Sequence, residues 1–185
     1  LKVYGANRLP YPYYSTSSTS NGVTFTDNGD GTVTANGTAT ARTVFRCQLS
    51  GRWVLPQGAY ALSGCPSGGS TSTYYLHCEF YNKSTWIMGI VDTGSGASKD
   101  TSNKVYTGTS YDIVIMAGTV CNNLLFKPMI NRGSTPAPYS PYKAEPTTYA
   151  LPEAVQNLPL FGEGVTDSQS KITYTNTVDF ENKQY

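Results

Sequence analysis

Few side chains in this 185-residue chain are equipped for bond-making chemistry. The sharpest arrangement is Ile90-Val-Asp-Thr-Gly-Ser95, where an apolar stretch delivers a carboxylate into an Asp-Thr-Gly turn. Such a turn serves hydrolysis when two carboxylates sit about 3 Å apart and share one proton. The motif occurs once, so Asp92 would need its partner from a second copy, and Gly94-Ser-Gly-Ala-Ser98 reads equally well as an ordinary loop after a strand. His77 is the only histidine and lies mid-strand, with neither a Gly-x-Ser-x-Gly elbow nor a Cys–His pairing to recruit it. Glu79 with Asp92 or Asp112 has the residue types of a glycoside-cleaving pair, yet nothing in their spacing sets two of them about 5–9 Å apart across a cleft. The expectation is a protein that is not an enzyme, with no catalytic residue and no cofactor.

Metal chemistry is equally thin. Asp27 and Asp30 in Asp27-Asn-Gly-Asp-Gly31 suggest a structural calcium, but a calcium loop needs about six oxygens ending in a bidentate acid, and none follows. A hairpin turn accounts for the same residues, because Asn, Asp and Gly tolerate positive φ. Cys47, Cys65, Cys78 and Cys121 form no Cys-x-x-Cys and have no histidine at zinc spacing. They are either buried thiols acting as small hydrophobes or, in a secreted protein, disulfides with three possible pairings. Asn36-Gly-Thr and Asn82-Lys-Ser are glycosylation sequons only in a eukaryotic secretory pathway.

Composition narrows the partners. Charged residues make up 14% and the net charge is +1, against roughly 25% charged in an average soluble domain. There is no cationic excess to displace counterions from nucleic acid. No apolar run approaches the ~20 residues that span a bilayer, so membrane insertion is not expected. The 15 tyrosines suit contact with uncharged surfaces.

The elements that must position these residues read as strands. Val23–Thr26, Thr32–Ala35, Val44–Leu49, Ala59–Gly64, Thr73–Tyr81, Thr85–Val91, Tyr111–Ala117 and Cys121–Ile130 alternate or are apolar, with Gly, Ser, Asn and Pro between them. Asn36-Gly37 reads as a two-residue hairpin. No segment shows a 3.6-residue stripe, which predicts an all-β antiparallel sandwich of the jelly-roll kind, with an N-terminal extended arm and a C-terminal extension. Alternation puts Tyr74, Leu76, Cys78 and Phe80 inward. Phe45, Cys47 and Leu49, Tyr60 and Leu62, and Leu124, Phe126 and Ile130 are inward likewise. Trp86 is expected in the core with Met88 and Ile90, on a strand covered on both sides. Outward go Tyr75, His77, Glu79 and Tyr81, joined by Arg46 and Gln48 if their strand shares the sheet. With Trp53, in a loop beside Gly51 and Pro56, these are the candidate ligand-binding residues: aromatic faces to stack on a sugar and polar groups to read its hydroxyls. A protein contact uses the same residue types.

The order of the segments carries a resemblance. Asn7-Arg-Leu-Pro-Tyr-Pro-Tyr-Tyr14, then Asn21-Gly-Val-Thr-Phe-Thr-Asp-Asn-Gly-Asp-Gly-Thr-Val-Thr-Ala-Asn-Gly-Thr38, Leu55-Pro-Gln-Gly-Ala-Tyr-Ala-Leu-Ser-Gly64, Phe126-Lys-Pro-Met-Ile130 and the Pro138-Tyr-Ser-Pro-Tyr142 exit resemble tail and baseplate-associated proteins of phages and prophages in Gram-positive gut bacteria. The middle is similar to galactose-binding-like carbohydrate-binding modules. The resemblance implies a virion-associated module that attaches to the host by binding cell-wall or capsular polysaccharide. Other tail proteins would be its partners, three-fold self-assembly its oligomeric state, and the virion tail or the cell surface its location. A purely architectural tail module, a bacterial adhesin or the accessory domain of a secreted glycosidase are the alternatives. The expected organisation is an arm over 1–20, the sandwich over 21–142, and a linker with an extension or the start of another module over 143–185. The extension includes a helical turn or two at Leu151–Leu158 and strands at Phe161–Val165 and Ile172–Glu181. The chain reads as a piece of a longer polypeptide.

Overall fold

Alternating apolar residues form strands here because a pleated backbone sends successive side chains to opposite faces. Residues 2–3, 5–143, 147–148, 165–166 and 172–173 are described in the structure, a computed structural model. In chain order the strands are β1 (Lys2–Val3), β2 (Ser18–Ser20), β3 (Val23–Asp27), β4 (Val33–Thr38), β5 (Thr43–Gln48), β6 (Ala59–Ser63), β7 (Tyr74–Asn82) and β8 (Thr85–Asp92). They continue as β9 (Ala97–Asp100), β10 (Gly108–Ile115), β11 (Val120–Phe126), β12 (Met129–Arg132), β13 (Thr147–Thr148), β14 (Val165–Thr166) and β15 (Ile172–Thr173). No helix occurs among the described residues. The chain divides into two units, one of residues 2–147 and one of residue 1 with 148–185. In the second, β14 and β15 pair antiparallel, Val165 opposite Thr173. The expected helical turns at Leu151–Leu158 and the rest of the expected C-terminal strands lie outside the described residues.

The first unit is an antiparallel β-sandwich. One layer has the order β5-β10-β7-β8; the other comprises β11-β4-β3-β2 and β12-β6-β9. The chain passes back and forth between the layers, as in a jelly roll. Phe25 meets Phe45 at 5.6 Å between ring centroids and Phe126 meets Tyr74 at 6.0 Å. The Tyr111 hydroxyl reaches across to the Met129 carbonyl. Leu76, Cys78, Phe80, Ile90, Tyr111, Ile113, Leu62 and Ile130 fill the same core. The arm lies along β5: Tyr14 and Ser15 donate from their backbone N–H to the carbonyls of Cys47 and Arg46.

Three strand expectations change. The two-residue hairpin turn is Asn21-Gly22, with φ of +46° and +79°; Asn36-Gly37 lies inside β4. Gly37 is required there because its strand runs against Gly22, whose carbonyl oxygen would stand 2.2 Å from an added Cβ. Cys121–Ile130 is two strands, β11 and β12, broken at Pro128, which cannot donate to a ladder. Ala97–Asp100, of which Ala97 and Ser98 read as the end of a loop, is an edge strand held by backbone pairing to β6. Leu124 faces inward as expected, opposite the buried Ala35, and packs half-buried against the core.

Gly64 stitches β6 to the β11–β12 crossing. Its carbonyl accepts from Lys127 N at 2.8 Å, its φ is +107°, and a Cβ would meet the Lys127 oxygen at 1.8 Å. Gly29, at φ +82°, has open space around it. A Gly29→Ala change should therefore cost about 1–2 kcal/mol from backbone conformation alone, and Gly64→Ala distinctly more, read as the difference in urea unfolding free energy.

Candidate functional site

The outer face of the first layer collects most of the candidate residues, and register explains how. Asp112 lies opposite His77, Ser110 opposite Glu79 and Val114 opposite Tyr75. Arg46 lies opposite Asp112 on the other flank. Residues directly opposite share a face, so Tyr75, His77, Glu79, Tyr81, Arg46 and Asp112 face outward together. Asp112 and Ser110 are buried, at 6% and 5% exposure, although they point away from the core; the longer side chains of β5 and β7 stand beside them.

These groups are bound to one another. Tyr81 donates to Glu79 Oε2 at 2.8 Å, Ser110 approaches the same oxygen at 3.5 Å, and His77 Nδ1 is 3.9 Å from Glu79 Oε1. Arg46 approaches Asp112 Oδ2 at 3.7 Å, while Asp112 Oδ1 has no hydrogen-bond partner among the described residues. Burial pushes the Asp112 carboxyl up to about 6; the Arg46 charge opposes this and Glu79 adds to it. Burial lowers His77 below its ordinary value, against the pull of Glu79. Burial and the Glu79 carboxylate raise Tyr81 to about 12.

Two residues of the expected set are elsewhere. Gln48 is buried and donates to the Pro10 carbonyl at 3.1 Å, tying the arm to β5. Trp53 is half-buried and lines a different cavity, with Pro10, Leu55 and Tyr142. Trp86 joins the face against expectation. Phe80 pairs with Met88 but Tyr81 pairs with Trp86, leaving Ile87 as an extra residue. This bulge turns Ile87 toward the core and Trp86 outward, and Trp86 is 55% exposed.

The remaining acids serve the backbone. Asp92 is fully buried; Oδ1 accepts from Gly94 N and Gly96 N at 2.8 Å each, and Oδ2 from Cys65 N at 2.9 Å. Asp27 Oδ1 accepts from Gly29 N and the Tyr11 hydroxyl. Asp30 Oδ1 takes the Thr32 N–H and hydroxyl. No group of three or more potential metal ligands occurs among the described residues. All four cysteines are buried free thiols, and burial raises Cys47 and Cys78 well above the thiol range.

No protein-family model matches the sequence, and no curated protein matches it. Among solved structures, the chain is similar to a subunit of the glycosylation-associated Gap123 complex of Streptococcus agalactiae, at 16% identity and a TM-score of 0.42, covering 64% of this chain and 42% of that one. It is also similar to a structure of accessory secretory proteins 1, 2 and 3 of Streptococcus pneumoniae, at 13% identity and a TM-score of 0.41, covering 71% of this chain and 96% of that one. The chain thus spans less than half the length of the first of these. Neither is a tail protein. The expected kinship with phage tail and baseplate proteins is withdrawn, and with it the host-attachment role, the polysaccharide ligand and the tail partners; three-fold assembly rested on the same resemblance. Of the seven residues expected to make one groove, Tyr75, His77, Glu79, Tyr81 and Arg46 share the outer face, while Gln48 and Trp53 lie elsewhere.

Two predictions follow from this geometry. Replacing Asp92 by Ala leaves the buried Cys65 N–H and the part-buried Gly94 and Gly96 N–H groups without their acceptor, and the loss in unfolding free energy should reach about 2 kcal/mol or more, with Asp92→Asn intermediate. Asp112 holds its proton more tightly folded than unfolded, so its contribution is fully present below about pH 4 and is lost as pH rises through about 6. Asp112→Asn should therefore be more stable than wild type at pH 8, by up to roughly 3 kcal/mol at about 1.4 kcal/mol per pKa unit, and no more stable at pH 4, compared by urea unfolding at the two pH values.

Proposed function

We propose that the chain is a non-catalytic module that docks a protein partner on the outer face of the β5-β10-β7-β8 sheet. The observation that carries this reading is the row Tyr75, Tyr81 and Trp86 along the β7–β8 hairpin, with Trp86 turned into solvent by a bulge at 55% exposure. Large aromatic residues are the usual energetic anchors of protein contacts. A bulge that exposes one in place of burying it is the kind of local departure that marks a working surface. The half-buried Glu79 and His77 beside the row supply directional polar groups without excess charge.

Catalysis finds no matching arrangement on this face. Among the described residues His77 approaches Glu79 only at 3.9 Å, and Asp92 on the opposite face is saturated by backbone donors.

A photo-activatable phenylalanine at position 86 tests the docking face in the cells that make the protein. It should cross-link to a discrete protein, and Tyr75→Ala with Tyr81→Ala should reduce the yield at least fivefold. The same probe at Val120, 68% exposed in the other layer, should not capture that protein. Equal capture at both positions, or none at 86, would sink the reading.

A further inference from the structure

A concave site is lined by residues other than those of the docking face. The arm, the loop after β5 and the Tyr142–Lys143 segment line an open cavity of about 260 Å³, with Arg8, Pro10, Trp53, Leu55, Tyr142 and Lys143 among its residues. Its apolar floor and walls come from one indole, one phenol and the rings of Pro10 and Pro56. Two cations, Arg8 and Lys143, belong to the lining, and among the described residues no carboxylate does. Neither cation forms a salt bridge among the described residues.

Both walls are held by the sandwich. On the arm side, Arg8 N donates to the Ile130 carbonyl at 2.8 Å. The Asn7 side chain donates to Pro128 O and accepts from Leu9 N and Ile130 N. On the loop side, the Trp53 carbonyl accepts from Thr109 N at 2.9 Å, and Leu55 N donates to the Thr109 hydroxyl at 3.3 Å. Leu55 is 3% exposed and Leu9 1%, so each wall is anchored by a buried side chain as well. These two walls are in place before a ligand arrives, which removes part of the ordering cost from binding.

We infer that this cavity binds an amphipathic carboxylate: one aromatic or aliphatic group seated against Trp53 and Tyr142, with its carboxylate facing Arg8 and Lys143. Size supports one ring. A dry cavity of roughly 150 Å³ houses benzene, and 260 Å³ leaves space for a short acid tail. Charge supports an anion, since the guanidinium offers a bidentate fork to a carboxylate and the ammonium a second charge. Such a group is found in a free arylalkanoic acid and at the C-terminus of a peptide ending in an apolar residue.

The two tryptophans make the test direct. In the full chain carrying Trp86→Phe, Trp53 is the single indole, and its emission reports the cavity. Titration with 3-phenylpropionate should give a saturable change, while neutral 3-phenylpropionamide should bind at least tenfold more weakly. Arg8→Gln and Lys143→Gln, both at exposed positions, should each weaken the acid at least fivefold while leaving the amide unchanged. A parallel arm with N-acetyl-glycyl-phenylalanine distinguishes the sources: tighter binding than phenylpropionate marks a peptide C-terminus, weaker binding a free acid. Equal affinity for acid and amide, insensitivity to both cation variants, or no saturable change overturns the inference.

Discussion

The pairing of β10 with β7, unbroken from Gly108 opposite Tyr81 to Ile115 opposite Tyr74, is the constraint from which the rest of the first unit follows. It sets Tyr111, Ile113 and Ile115 beside Cys78, Leu76 and Tyr74, and these side chains form the inner surface on which the second layer packs. The same register sends Asp112 and Ser110 to the other side, against His77 and Glu79. A slip of one residue would exchange the two faces, placing a carboxylate in the core and isoleucines in water. The core and the outward network are thus two results of one register.

The departures from regular pairing decide which residues a partner can meet. At β5, Arg46 and Gln48 pair with consecutive residues of β10, so Cys47 is the extra residue. Cys47 stays in the core while Gln48 is drawn to the arm. At β8 the extra residue is Ile87, and Trp86 changes sides. Each bulge costs ladder hydrogen bonds locally and redirects one side chain. The arm supplies backbone partners to the outer edge of β5, which leaves β8, with its tryptophan, as the open flank of that layer.

Among the described residues, the acids of this sparsely charged chain are used on the chain itself. Asp27, Asp30, Asp92 and Asp100 each accept from a backbone N–H two residues ahead, which makes the tight connections between strands possible without helices. Glu79 and Asp112 are the acids that face outward in the first layer and are engaged by side chains. This division explains why the Asp-Thr-Gly stretch, the most suggestive motif by residue type, does structural work. Its carboxylate closes the turn that sends the chain from β8 to β9, and it holds the Cys65 segment to that turn.

Alternation in the sequence was sufficient to determine the all-β antiparallel class, the inward set on β7 and the outward placement of Tyr75, His77, Glu79 and Tyr81, because period-two patterning follows from the backbone of a single strand. Strands with little apolar content, such as β9, were not legible, since they are held by backbone pairing that leaves no mark on side-chain type. Nor were the bulges, because an extra residue is defined only against a partner strand. The side on which Trp86 lies, the diversion of Gln48 to Pro10, the burial of Asp112 and the cavity around Trp53 were decided by the tertiary structure alone. Each depends on which distant segments the core brings together, and no local pattern encodes that.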